Sequence, residues 1–289
     1  MTTAAELASY ASSFPSFRNR FINGNQVIDQ RNGGSAGTAS ANIFIYATDR
    51  WYIYSVGATC GYQRVAGPNT SDYAIQITPA SSNPNTIFGQ KIENLNCLDL
   101  ANKTVTISGK VYIDNASGVT FNTNVYVASS ANNSYGNLVT FSSSLTSGQY
   151  VDFSGTVTLG ANAINGIEVD FSFLSAAGKT IKLTNLQLEK GTVATEFEHR
   201  PISVELSLCQ RYYEKGTFSF ETPSAGNHVQ TLSFNTMKRA SAAVTFTNAV
   251  SPNGTTSILY SGQSQFLPKL VANGGTYWNM NWETTGSEL

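Results

Sequence analysis

Few side chains in this sequence of 289 residues are equipped for covalent chemistry. It holds two histidines, His199 and His228, three cysteines, Cys60, Cys97 and Cys209, and 18 Asp and Glu residues. His199 stands between Glu198 and Arg200 and reads as a residue paired with a carboxylate or capping a turn. His228 lies in a polar stretch and reads as solvated. Cys209 falls on the apolar side of a helical pattern and reads as a core thiol, without the adjacent base that a nucleophile needs. Glycoside cleavage requires two carboxyl groups about 5 to 9.5 Å apart. Asp29, Asp49, Glu168, Asp170 and Glu189 are available for this, but Glu168 and Asp170 share the outer face of one strand, where charge keeps a surface wet. Neither a phosphate-cradling glycine loop, nor a Gly-X-Ser-X-Gly elbow, nor a His-Glu-X-X-His pair occurs. The expectation is a protein that binds rather than catalyses.

Composition narrows what it binds. Seventeen basic against 18 acidic residues leave a formal net charge of −1, with no basic excess for a phosphate backbone, so nucleic acid is not an expected partner. Only 12% of the residues are charged. Polarity comes instead from 33 Ser, 31 Thr and 27 Asn. No apolar run reaches the eighteen or so residues that span a bilayer, so membrane insertion is not expected. Met1 to Tyr10 lacks a cationic stretch followed by an apolar one, and the odd cysteine count suits a reducing cytoplasm.

Aromatic residues are the stronger lead: 14 Tyr, 16 Phe and 3 Trp. On a neutral surface, flat rings beside amides and hydroxyls are suited to stacking on sugar rings. Tyr52 and Tyr54 share one face of a strand, with Trp51 on the other, near the turn residues Asn69 to Asp72. A second group, Tyr260, Gln263, Gln265, Tyr277, Asn279 and Trp282, mixes rings with amides near the carboxy terminus. Both groups are candidate glycan contacts, the second being the preferred one. The alternative for the second group is burial between protomers.

These side chains need strands to hold them. Val105, Ile107, Gly109, Val111 and Ile113 alternate with polar residues, as do Val151 to Leu159 and Ile167 to Phe173. Ile43–Tyr46, Trp51–Val56 and Tyr73–Thr78 are further candidates. Half-buried strands joined by Gly, Asn and Ser turns imply antiparallel sheets packed as a sandwich or jelly roll. Helical spacing appears over Ala4–Ser12 and over Pro201–Lys215, where Ile202, Leu206, Cys209 and Tyr213 share a face and Gly216 suits the position past the end. The fold expected is all-β: a jelly-roll β-sandwich over 19–198, a linking helix over 199–216 and a smaller β domain over 217–289.

Several runs together resemble a family of bacteriophage tail-fibre, or receptor-binding, proteins. They are Asn19-Arg20-Phe21-Ile22-Asn23-Gly24 through Asp29-Gln30-Arg31, then Thr48-Asp49-Arg50-Trp51. Leu186 to Gly191, Ala194 to Pro201 and Glu205-Leu206-Ser207-Leu208-Cys209-Gln210-Arg211-Tyr212-Tyr213-Glu214 follow. Met237-Lys238-Arg239-Ala240, Ser251-Pro252-Asn253-Gly254 and Ser287-Glu288-Leu289 complete the likeness. Lys238 and Ser241-Ala242 depart from the family's usual pattern. The resemblance implies a carbohydrate-binding-module-like jelly roll and a virion component of the tail, assembled in the host cytoplasm as a homotrimer. It implies attachment to a tail or baseplate protein through residues 1–18 and adhesion to host-surface polysaccharide. It also implies a structural calcium, for which Asn23, Asp29 and Glu189 lie in the two relevant regions. The trimer would share contacts in the second domain, with Phe266, Leu267, Trp278 and Trp282 as candidates. Two other readings stay open: a collar, baseplate or decoration protein that binds no receptor, and a glycan depolymerase.

Overall fold

Period-2 alternation builds nearly the whole molecule. The computed structural model describes residues 17–69, 73–250 and 254–288. The Ala4–Ser12 helix pattern, residues 1–16 of the attachment segment, Thr70–Asp72, Ser251–Asn253 and Leu289 lie outside the described residues. Twelve strands form the first unit: β1 (Gly37–Ala39), β2 (Phe44–Thr48), β3 (Trp51–Ser55), β4 (Cys60–Ala66), β5 (Tyr73–Pro79), β6 (Asn85–Ile92), β7 (Thr104–Ile113), β8 (Thr120–Ser130), β9 (Asn133–Ser143), β10 (Gln149–Thr158), β11 (Ile167–Leu174) and β12 (Ile181–Lys190). They make a front sheet in the order β2-β3-β6-β11-β8-β9 and a back sheet in the order β1-β4-β5-β12-β7-β10, antiparallel throughout.

The core lies between the two sheets. From the back sheet Val105, Ile107, Val111 and Ile113 point inward with no exposure; from the front sheet Val169 and Phe171 do the same. Trp51 is fully buried, its ring stacked on Phe88 at 4.9 Å and 7°. Gly109 belongs to the inward series because a Cβ there would lie 2.6 Å from Leu186 Cδ2 and 2.9 Å from the Phe153 ring. The expected sandwich is present, with more strands than the sequence pattern marked: β1, β4, β6, β8, β9 and β12 join those anticipated.

After the sandwich comes α1 (Ile202–Gln210). It is shorter than the expected 201–215. Sheet bonds capture the chain beyond it: Glu214 N–H donates to Thr284 Oγ1 at 2.9 Å, and Lys215 begins β13 (Lys215–Thr222), with Gly216 inside that strand rather than past a helix end. Ile202 is 64% exposed, so the apolar face reduces to Leu206 and Cys209, which pack with Tyr212 on Ile22 and Ile28.

The second unit adds β14 (Gly226–Val229), β15 (Leu232–Ser233), β16 (Ala243–Val250), β17 (Gly254–Ser261), β18 (Gln265–Ala272) and β19 (Thr276–Thr285). One sheet runs β13-β19-β16; the other runs β14-β18-β15, with β17 also on β18. Between them sit Phe218, Phe234, Phe266, Leu270, Trp278, Met280 and Trp282. Phe266, Trp278 and Trp282, offered above as contacts between protomers, thus serve the interior of a single chain. β17 and β18 pair because Ile258, Phe266 and Leu270 supply an inward face.

Charge, sparse elsewhere, gathers where the two units meet. Arg211 and Tyr212 hold Glu93 at 2.7 and 2.8 Å. The Arg50 guanidinium lies 3.6 Å from the Tyr212 ring centroid and pairs with Glu288, which also takes Arg31 at 2.8 Å. Lys238 and Glu214, both without exposure, form an ion pair, and Lys238 Nζ also donates to the Gln210 carbonyl at the end of α1. Cations are favoured at a helix carboxy terminus.

Candidate functional site: the outer face of the front sheet

Alternation that sends Trp51, Phe88 and Phe171 inward sends their neighbours outward in register. Tyr46, Tyr52, Gly89, Asp170, Asn124 and Thr140 form one row across all six strands. Phe44, Tyr54, Ile87, Ser172, Asn122 and Ser142 form the next. The face therefore divides into two halves. On β2 and β3 it is aromatic: the Phe44 ring lies 5.0 Å from Tyr52 and 4.7 Å from Tyr54, and Tyr46 meets Tyr52 edge-on at 6.5 Å. Phe44 is 55% exposed, an unusual position for a phenylalanine on a polar sheet face.

On β11, β8 and β9 the face is polar. Asn124 Nδ2 donates to Asp170 at 2.6 Å and to Ser172 Oγ at 3.3 Å, while Thr140 Oγ1 donates to Asn124 Oδ1 at 2.7 Å. Ser142 Oγ donates to Asn122 Oδ1 at 2.6 Å. Tyr52 joins the halves. Its ring lies over Gly89, where a Cβ would come within 2.4 Å of the Tyr52 hydroxyl oxygen, and that hydroxyl donates to Glu168 at 2.5 Å. Only glycine leaves that space.

Asp170 is 5% exposed, and burial, helped by the nearby Glu168 charge, pushes its carboxyl up to about 6. Burial likewise raises Tyr52 well above the usual phenol range and Tyr126, beside Asp170, to about 12. The face thus offers exposed ring surface next to fixed acceptors and donors. A sugar ring can lay its C–H side on the former and direct hydroxyls to the latter.

Among the residues expected from sequence, Tyr54 is half-exposed on this face. Tyr52 is a correction: it is 2% exposed, covered by Phe44 and Tyr46, and reaches the site through its hydroxyl partner. Glu168 and Asp170, read as a wet surface, are half-buried and buried within the site. Phe44, Tyr46 and Asn124 were missed. A tight connection at Asp49-Arg50 would by itself set Tyr46 opposite Ile53. An irregularity between Tyr46 and Thr48 shifts the register by one, which sets Phe44 opposite Tyr54 and Tyr46 opposite Tyr52, and alternation alone does not mark it.

The distal group is not one site. Tyr277, 60% exposed, and Asn279 face outward from β19, whereas Tyr260, 54% exposed, lies on the other sheet's outer side, with the core between. Gln263 Nε2 donates to the Arg239 carbonyl at 2.9 Å, and Gln265 begins β18. Trp282 is 7% exposed against Phe234 and Phe266, so it is corrected from candidate ligand contact to core.

The calcium residues do not converge either. Asn23 Oδ1 accepts Ile28 N–H at 2.8 Å, Asp29 accepts from Asn32 and Gly34 amides, and Glu189 accepts from Thr195 and pairs with Arg18 at 3.2 Å. Their oxygens are already engaged by donors of the protein itself. Among the described residues, no group of three or more His, Cys, Asp or Glu could hold a metal ion. His199 meets the Phe197 ring edge-on at 5.0 Å, and the Glu198 carboxylate is taken instead by Arg18 and Asn19 amides and by Arg200.

No protein-family model and no curated protein matches this sequence. Solved structures similar to it include the enzymatically active domain of bacteriophage CBA120 tailspike protein 4, at TM-score 0.39 and 10% identity over 61% of this chain and 22% of that one. Another is the xylan-binding domain from Paenibacillus barcinonensis, at TM-score 0.35 and 15% identity over 56% of this chain and 99% of that one. A third is TmCBM61 in complex with β-1,4-galactotriose, at TM-score 0.34 and 13% identity over 60% and 99%.

Proposed function

We propose that this protein binds glycans through the outer face of its front sheet, as the adhesive part of a phage tail fibre that contacts polysaccharide on the host surface. The observation that carries the binding reading is the Phe44–Tyr54 ring pair, exposed at Phe44 and half-exposed at Tyr54, beside the Asp170–Asn124 hydrogen-bonded row. The tail-fibre role rests on the resemblance of the sequence runs given above, and so do the trimer and the attachment through residues 1–18. In this reading Glu168 and Asp170 accept sugar hydroxyls and do not act as an acid/base couple, so bound glycan is released uncleaved.

A neutral glycan array, followed by calorimetry on the best hit, tests it. Tyr54→Ala is expected to weaken binding about tenfold, from the ~0.5–1.5 kcal/mol that a stacked ring contributes to such contacts. Tyr277→Ala, on the second unit, should leave affinity unchanged. Equal loss from both variants, or a glycan shortened during incubation, overturns the proposal.

A further inference from the structure

The back sheet has its own cleft, on the face turned away from the site above. Beyond β12 the chain reverses at Gly191 and lays 194–199 over the outer side of that strand. Gln187 and Glu189, outward on β12, hold it there: Gln187 Oε1 accepts Glu198 N–H at 2.9 Å, and Glu189 accepts Thr195 N–H at 2.8 Å and its hydroxyl at 2.7 Å. This segment forms a wall ending in Phe197 and His199. The floor is β7 and β10, where Ser108 pairs in register with Ser154 and Lys110 with Asp152. Asn185, held at φ 53° where β12 loses register between Thr184 and Gln187, lines the cleft as well. The cavity measures about 430 Å³, inside the ~300–1,000 Å³ range of small-molecule sites.

Its chemistry selects the ligand class. Lys110 and Asp152 neutralise each other at 2.6 Å, so the floor offers hydroxyls and amides, and the exposed Glu196 carboxylate on the wall disfavours an anionic ligand. One step of two residues further along the same strands, roughly 7 Å, Tyr112 and Tyr150 stand side by side with ring centroids 5.4 Å apart. The Tyr150 hydroxyl is buried and has no hydrogen-bond partner among the described residues. We propose that this cleft is a second saccharide site. It takes a short stretch of uncharged glycan, one ring against Phe197 and His199 and the next against Tyr150, beside Tyr112, whose own ring carries the Lys182 ammonium at 5.1 Å.

The test is amide NMR on the full chain, with cellotriose, xylotriose, maltotriose and β-1,4-galactotriose added singly. It is run on the parent and on a Tyr54→Ala/Asp170→Asn variant whose front face is disabled. The expected result is that at least one sugar moves the Ser108, Lys110 and Ser154 signals in both proteins. Ser154→Trp, an enlargement at an exposed position on an edge strand, should abolish those shifts while front-face binding persists, and His199→Ala should weaken the site about tenfold. Absence of shifts at these three residues with all four sugars overturns the proposal, whatever the front face does. So does their disappearance in the front-face variant.

Discussion

Two sets of carboxylates in this molecule, one at the junction between the units and one on the front sheet, are held in opposite ways. At the junction between the units, Glu93, Glu205, Glu214 and Glu288 each meet a cation: Arg211, Arg200, Lys238, and both Arg31 and Arg50. On the front sheet Asp170 is as deeply covered, yet among the described residues it forms no ion pair and leans on the Asn124 amide. Pairing removes most of the reason for a carboxylate to attract anything else; an unpaired buried carboxylate remains an acceptor in search of donors. The junction therefore reads as structure and the face as function. In a chain with 12% charged residues, spending so many at one seam fixes how the two units sit and leaves the outer faces neutral.

The largest effect should come from splitting a pair. Lys238→Met leaves Glu214 buried without its cation, and removing one partner of such a pair costs about 3–5 kcal/mol. Phe171→Ala in the sandwich core should cost a similar ~3–5 kcal/mol through the cavity it leaves. The two losses differ in kind. Adding Glu214→Leu to Lys238→Met should restore most of the stability, whereas no charge change can refill the Phe171 cavity. Urea unfolding of the single and double variants measures both. If the double variant stays as weak as Lys238→Met, the pair is not what holds that seam.

Next in size is Arg50→Lys. Arg50 pairs with Glu288, donates to the Lys91 carbonyl at 2.6 Å and stacks on Tyr212. A lysine keeps the charge but loses the planar fork and the stack, and about 2 kcal/mol is expected to go with them. The same change at Arg20, paired at 2.8 Å with the exposed Asp99, should cost under about 1 kcal/mol. Equal costs at the two sites would mean that the seam is no more than ordinary surface pairing.

The two regions also differ in what a sequence can reveal. Val105 to Ile113 and Ile167 to Phe173 announce their inward faces by alternation, which is local, so the sandwich was legible. So was the ring hairpin at Trp51 to Tyr54, although the burial of Tyr52 was not, because it depends on Gly89 from another strand leaving room. The junction partners have no such rhythm: Arg50 and Glu288 are 238 positions apart, Glu93 and Arg211 are 118 apart. Lys238 stood out in the sequence only as a departure from the family's pattern. Its partner explains it. The same limit hid Asp170, whose neighbours Asn124 and Tyr52 come from β8 and β3.

The smallest expected effect is the most diagnostic, because it has a sign. Burial holds the Asp170 carboxyl at about 6 in the folded chain against an ordinary value of 3.8. The native state thus disfavours the charged form. Below about pH 4 the group is protonated in both states and the penalty is absent. As pH rises from 4 to 6 the unfolded chain gives up its proton first, and native stability falls by up to about 3 kcal/mol, staying down above 6. Asp170→Asn keeps an oxygen to accept from Asn124 and carries no charge at any pH. It should therefore match the parent near pH 4 and exceed it by ~1–2 kcal/mol at pH 7. Asp49, raised to about 6 by its own burial, titrates identically in both proteins and cancels in the difference. Glycan affinity should move the other way, since the amide puts an N–H where the carboxylate had a second acceptor oxygen: Asp170→Asn is expected to be the more stable protein and the weaker binder at pH 7. A variant no more stable than the parent at pH 7, or one whose advantage persists unchanged at pH 4, would place Asp170 with the compensated carboxylates of the junction and remove the contrast between the two regions.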